Sequence, residues 1–186
     1  MKFDDFAQLV RTRRSQLIVD QERDVEIDLI NQLCSIATWA PNHQQTWPWV
    51  FGVFTGESRR GLSNATADAM QRNGDTDMKV TKTRTKYLRA PVVIVVGSAP
   101  GESALQNEEN RDAVAAGIQN MLLGATALGL ASFWSSCPKG CNDDVARHCG
   151  FASGTHVTAM LYIGWPTKTL PAIDRPAPAI TYFDSV

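Results

Sequence analysis

The run from Pro91 to Gly97, Pro-Val-Val-Ile-Val-Val-Gly, constrains the fold more than any other stretch of this sequence. A strand with one wet face alternates apolar and polar residues, whereas an unbroken β-branched run predicts a strand covered on both faces. The second constraint is the helix expected from about Arg111 to Leu128. Its apolar residues (Val114, Ile118, Met121, Leu122, Leu123, Ala125 and Leu128) lie nearly all round, so it is expected to be central, and Gly129 is placed to end it. With 186 residues, one domain spanning 1–186 is expected, because two ordinary domains would each lack a sufficient core.

Further elements follow from periodicity. Helices are expected from Phe3 to Arg13, Asp24 to Thr38 and Glu57 to Arg72, with another over Asp75 to Lys86, where Lys79, Lys82, Arg84 and Lys86 are expected to be solvated. Trp49 to Thr55, Ala131 to Ser135 and Val157 to Trp165 read as strands. From Pro166 the tail carries four prolines (Pro166, Pro171, Pro176 and Pro178), so it is extended, yet it ends in a strand-like run, Ile180 to Phe183. Such an arm is expected to reach across a partner subunit.

Composition removes several function classes. Apolar residues at 44% and charged residues at 20% exclude a disordered chain. A net charge of -1 argues against a nucleic-acid partner. No segment of about 20 residues is apolar enough for a membrane span, and the first residues lack the order of a signal peptide. Cys34, Cys137, Cys141 and Cys149 are too scattered for a disulfide scaffold, and the spacing of Cys137, Cys141, His148 and Cys149 lacks a second paired zinc knuckle. A reducing, cytoplasmic setting and no metal are expected.

Three segments carry candidate chemistry. Arg11-Thr-Arg13-Arg14-Ser15 offers guanidiniums and hydroxyls suited to a phosphate ester, or else forms a solvated basic turn. Trp39-Ala-Pro-Asn-His43 followed by Thr46-Trp-Pro-Trp49 forms a rigid aromatic loop that can wall a flat heterocycle, or else lines the core. Gly124-Ala125-Thr126-Ala127-Leu128-Gly129, running into Phe133-Trp134-Ser135-Ser136, admits a close backbone or a planar ligand, or else serves helix packing. No Gly-x-Gly-x-x-Gly fingerprint, P-loop or nucleophile elbow is present, and no catalytic side chain is singled out.

Taken in order, Arg13-Arg14-Ser15, Ala40-Pro41-Asn42-His43 with Pro48-Trp49, Arg89-Ala90-Pro91, Leu128-Gly129-Leu130-Ala131, Phe133-Trp134-Ser135-Ser136, Tyr162-Ile163-Gly164-Trp165-Pro166 and Thr181-Tyr182-Phe183 resemble the FMN-dependent nitroreductase family, most closely its short NAD(P)H nitroreductase branch. The resemblance implies an α+β fold: a central, mostly antiparallel sheet flanked by helices, in an intertwined homodimer with FMN at the interface. It implies that Arg13, Arg14 and Ser15 hold the flavin's phosphate and polar edge, and that Trp39 and His43 approach from the loop, partly across the interface. Trp134, Ser135 and Ser136 would line the second flavin segment, and Gly124, Ala125, Thr126, Ala127, Leu128 and Gly129 would correspond to the nicotinamide-binding region. The implied activity is NADH- or NADPH-dependent two-electron, ping-pong reduction of a nitroaromatic, quinone or related small acceptor. The alternative reading is a non-catalytic FMN-binding dimer serving as a flavin sensor or store.

Two departures stand out. Gln45-Thr46-Trp47-Pro48-Trp49 replaces the family's common Asn-x-Gln-Pro-Trp, and Trp134-Ser135-Ser136-Cys137 replaces Trp-Arg-Ser/Thr-Gly of the short branch. The second removes an arginine, and Arg175 in the tail is a candidate replacement for a phosphate contact.

Overall fold

The strand β2 (Val92–Ser98) is buried at every position, as its unbroken run of β-branched residues requires. Val92, Ile94 and Val96 enter one hydrophobic core, and Val93 and Val95 enter the other. The structure is a computed structural model, and it describes residues 2–183. β2 is flanked by β1 (Trp49–Thr55) and β4 (His156–Gly164), and β3 (Ala131–Ser135) closes the order β1-β2-β4-β3, with every pair antiparallel. β4 divides its side chains in the same way: Ala159, Leu161 and Ile163 on one face, Met160 and Tyr162 on the other.

Helices cover both faces. The first layer holds α1 (Phe3–Thr12), α2 (Ile27–Ala37) and the 24-residue α5 (Ala104–Ala127). The second holds α3 (Ser58–Arg72), α4 (Asp77–Thr83) and α6 (Asn142–His148), with a one-turn 3-10 segment at Lys86–Arg89. The three elements α2, α5 and β1 meet at Gly117, where an added Cβ would lie 2.5 Å from Trp49 Nε1 and 2.6 Å from the Ala37 carbonyl. Trp49 Nε1 donates to the Ala113 carbonyl at 3.3 Å, so the indole ties β1 to α5 across that contact.

Several expectations change. Helix α5 starts at Ala104, well before Arg111, because Ser103 Oγ caps it by accepting from Gln106 N at 3.1 Å. Its first two turns are polar and carry no apolar period, which hid them from the sequence reading. Nor is α5 buried all round: Ala113, Val114, Gly117, Ile118, Met121, Leu122 and Ala125 form one buried stripe, while Ala116 and Gln119 are exposed and Leu123 is half-buried. The unexpected α6 places Asp143 and Asp144 in its first turn and Arg147 and His148 in its last, the charge order that suits a helix dipole. The terminal run Ile180 to Phe183 forms no strand in the single chain and is exposed. A strand needs a neighbouring edge, and this run pairs with none of the described strands.

Candidate flavin site

The segment after α1 runs along the open edge of β3. Ser15 pairs in parallel with Ser132, and Gln16 N donates to the Ser132 carbonyl at 2.9 Å. Val19 bridges Pro166, so the returning tail lies beside the same segment. Arg13 and Arg14 are half-buried at this seam. Arg14 is fixed by donating to the carbonyls of Pro171 at 3.3 Å and Arg13 at 2.9 Å. The tail brings Arg175 to a cleft of about 500 Å³ that Arg11, Thr12 and Arg14 also line. Burial pushes the Arg13 guanidinium below its ordinary range, and the charges of Arg175 and Arg14 add to the shift. Among the described residues, Arg13, Arg14 and Arg175 have no carboxylate at ion-pair distance, although Asp174 lines the same cleft. Guanidiniums packed together without a counter-ion make a receptor for a phosphate. Ser132 Oγ and Gln16 Oε1, buried at the same seam, have no hydrogen-bond partner in the chain, so the seam retains capacity for a polar ligand.

A groove of about 710 Å³ lies between α4, the 86–89 turn and Pro138. Met70 and Pro138 supply an apolar wall, and Lys79, Lys82, Lys86 and Arg89 supply cations. Lys86 is half-buried, not solvated as its polar neighbourhood suggested. Burial lowers its pKa, Arg89 and Lys82 lower it further, and the Cys137 thiol opposes the shift. Lys79 has a partner, Asp75 at 3.6 Å, whereas Lys82, Lys86 and Arg89 have none among the described residues. Beside Arg89, the Tyr162 hydroxyl is buried and unpartnered. Burial pushes the Cys137 thiol up to about 12, so it is a neutral wall and not a nucleophile.

The aromatic loop is elsewhere. Trp39 is 83% and Trp47 62% exposed, and between them lies a cleft of about 450 Å³ shared with Asn42 and Gln45. Gln44, Gln45 and Trp47 all have positive φ (59°, 54° and 51°), a conformation that strains residues with a Cβ. Helix α5 pins this loop: His43 Nδ1 meets Glu109 Oε1 at 2.9 Å, Gln106 Nε2 donates to Gln44 Oε1 at 3.2 Å, and Thr46 Oγ1 donates to Asn110 Oδ1. Asn42 Oδ1 accepts from Trp47 N at 2.8 Å. These contacts belong to the α5 layer, while the cationic groove lies on the α4 layer. One chain therefore places Trp39 and His43 on the layer opposite Lys86.

The 124–129 stretch has structural duties. Gly124 faces Leu33 and Ile36 of α2, and Gly129, at φ 75°, ends α5 with Gly129 N donating to Thr126 O and Leu130 N to Ala125 O, a Schellman arrangement. Thr126 and Gly129 also line a small cleft with Arg14 and Gln16, whereas Ala125 is buried in the core. Along β3, Trp134 is exposed, Ser135 half-buried and Ser136 exposed, and the Ser135 hydroxyl donates only a long, 3.4 Å bond to the Ser136 carbonyl.

Sequence reasoning paired Arg13 with Arg14 and named Arg175 as a candidate phosphate contact, but it missed the groove. The signal was present: Lys82, Lys86 and Arg89 are spaced three to four residues apart beside Pro91, which begins the buried strand. Only the break from α4 into a 3-10 turn lets them share a cavity with Pro138.

The nitroreductase family model matches residues 10–165. The chain is similar to the Escherichia coli K12 protein named "Putative NAD(P)H nitroreductase YdjA", with 27% identity over 148 residues, 77% of this chain and 81% of that protein. Among solved structures it is similar to the nitroreductase-like family protein from Bacillus cereus, at 28% identity and a TM-score of 0.78, covering 95% of this chain and 94% of that one. A nitroreductase with bound FMN from Bacteroides fragilis shares the fold at 20% identity and a TM-score of 0.76, covering 96% of this chain and 98% of that one. The match runs from the helix before the arginine pair to the end of β4, and on it this chain belongs to the nitroreductase family.

Proposed function

We propose that the protein is an FMN-dependent oxidoreductase that uses NADH or NADPH to reduce electron-poor small molecules such as nitroaromatics and quinones. The observation that carries this reading is the pair of cation clusters without counter-ions among the described residues, Arg13–Arg14–Arg175 and Lys82–Lys86–Arg89. A relative named for NAD(P)H and a fold neighbour named for bound FMN support it.

In this reading Arg13, Arg14 and Arg175 hold the phosphate, with Ser15 beside them. Lys86 meets the pyrimidine edge of the ring, where reduction concentrates negative charge, and its half-buried position strengthens that interaction. Trp134, Ser135 and Ser136 border the ring, and Thr126 and Gly129 border the approach of the nicotinamide. FMN, when bound, supplies the hydride-transfer chemistry, so no side chain need act as nucleophile or general base. Because one groove serves both substrates, reductant and acceptor enter in turn, which is ping-pong kinetics.

Trp39 and His43 reach such a ring only from a second copy, so the functional unit is a homodimer. Phe3, Phe6 and Val10 of α1, with Ile27, Ile36, Trp39 and Trp47, are apolar residues left exposed by the single chain. Covering them offsets the entropy of ordering an arm that ends in Ile180, Tyr182 and Phe183. Four cysteines without a disulfide fit a reducing, cytoplasmic setting. Fluorescence titration with FMN, followed by NADH and NADPH oxidation with nitroaromatic and quinone acceptors, tests the reading. Saturable flavin binding with acceptor-dependent turnover supports it, and no uptake of FMN removes it.

A further inference from the structure

The groove holds more positive charge than a flavin ring needs. The chain as a whole is balanced, with 18 Lys and Arg against 19 Asp and Glu. On and just after α4, Lys79 pairs with Asp75 and Arg84 with Asp68 at 2.6 Å. Lys82, like Lys86 and Arg89, has no acid within reach among the described residues, and it lies close enough to Lys86 to oppose that residue's charge. Leaving two ammonium groups together without an anion is unfavourable in the empty groove, and a ligand that brings the anion relieves it. The two are graded in depth: Lys86 is half-buried and Lys82 exposed at the rim, opposite the apolar surface of Met70 and Pro138.

From this arrangement we propose that Lys82 recognises an anionic group on the electron acceptor, so that the preferred acceptors are flat, electron-poor aromatic molecules bearing a carboxylate. The inference rests on the flavin reading above. Lys86 serves the ring of the cofactor, and the remaining space beside Met70 and Pro138 suits a single aromatic ring. A substituent projecting from that ring toward the rim meets the Lys82 ammonium. The reductant's phosphates are separated from its reacting ring by a ribose, so a cation this near the ring is better placed for a substituent on a small acceptor.

The test uses the FMN-loaded protein, with 4-nitrobenzoate and its neutral isostere 4-nitrobenzamide as acceptors. An exposed ion pair of ordinary strength gives wild type a kcat/KM ratio of about fivefold in favour of the benzoate. Lys82→Gln brings that ratio to about one, Lys82→Glu inverts it, and raising the salt to about 0.5 M erodes it in wild type. Calorimetric binding of 4-nitrobenzoate, which needs no turnover, weakens in step with the ratio. A wild-type ratio near one overturns the proposal, as does a ratio that the Lys82 variants leave in place. So does a Lys82 effect confined to the KM for NADH or NADPH, which would assign the residue to the reductant. Flavin content, read from absorbance on the same samples, separates the two failures. A protein that takes up no FMN refutes the flavin reading, whereas a flavinated protein indifferent to acceptor charge refutes this inference alone.

Discussion

The cationic groove and the 39–47 loop are built on opposite principles. The groove assembles residues from α3, α4, the 86–89 turn and the loop after β3, and leaves Lys82, Lys86 and Arg89 without acidic partners among the described residues. The loop is local in sequence, strained at three residues, and almost fully engaged by α5. Unsatisfied groups mark where a ligand is still missing; satisfied strain marks a surface held ready in one shape. The two regions lie on opposite layers of one chain, and the proposed site takes the loop from a second copy.

If that contrast is right, the largest effect comes from the arginine cluster. Arg13→Ala or Arg14→Ala removes a charge-assisted phosphate contact and is expected to weaken FMN binding by about 2–3 kcal/mol, measured by flavin fluorescence quenching, with folding little changed. Wild-type affinity in both variants would return the pair to a basic turn. Next is Asn110→Ala. Asn110 is 2% exposed, accepts from Thr46 and donates to the Ala99 carbonyl at 3.3 Å. Its loss is expected to lower stability by about 2 kcal/mol in urea unfolding and to raise the accessibility of Trp39 and Trp47 to acrylamide.

Lys86→Met tests the groove in two directions. The folded-state pKa of Lys86 is lowered, so between that value and the unfolded value of about 10.4 the unfolded chain binds more protons and stability rises with pH. At neutral pH, below that window, burying the ammonium opposes folding. The flavin-free Met variant is therefore expected to melt about 2 °C higher than wild type near neutral pH, with the advantage shrinking as the pH rises through the lowered folded pKa toward about 10.4, while its FMN binding falls. Equal losses of both would make Lys86 a structural residue. The smallest effect is Gln45→Gly: Gln45 is exposed at φ 54°, and removing its Cβ is expected to stabilise the chain by about 0.5–1 kcal/mol in the same unfolding assay.

How far the sequence could reveal this molecule depended on whether the signal was local. The β-branched run of β2 and the Trp49–Thr55 strand were legible because burial on a face leaves a period in the residues themselves. Arg13 and Arg14 were legible as a pair because adjacent charges announce themselves. Helix α6 and the first turns of α5 were not: α6 buries only Val145 and Ala146 over seven residues, too short for a period, and α5 begins on the Ser103 cap and not on an apolar stripe. The groove was hidden for a further reason. Lys82, Lys86 and Arg89 read as one face of a solvated helix, and only the break at Arg84 and Thr85 with the approach of Pro138 turns them into a cavity. The placement of Trp39 and His43 on the layer opposite the groove is a tertiary fact that no spacing encodes.

The central claim is a flavin site completed by two copies, and size-exclusion chromatography of the FMN-reconstituted protein tests it most directly, with absorbance recorded together at the protein and flavin wavelengths. The account predicts one species of twice the 20.4 kDa chain mass carrying about one FMN per chain. Flavin eluting with a stable single chain, or a dimer that remains colourless after reconstitution, would contradict it.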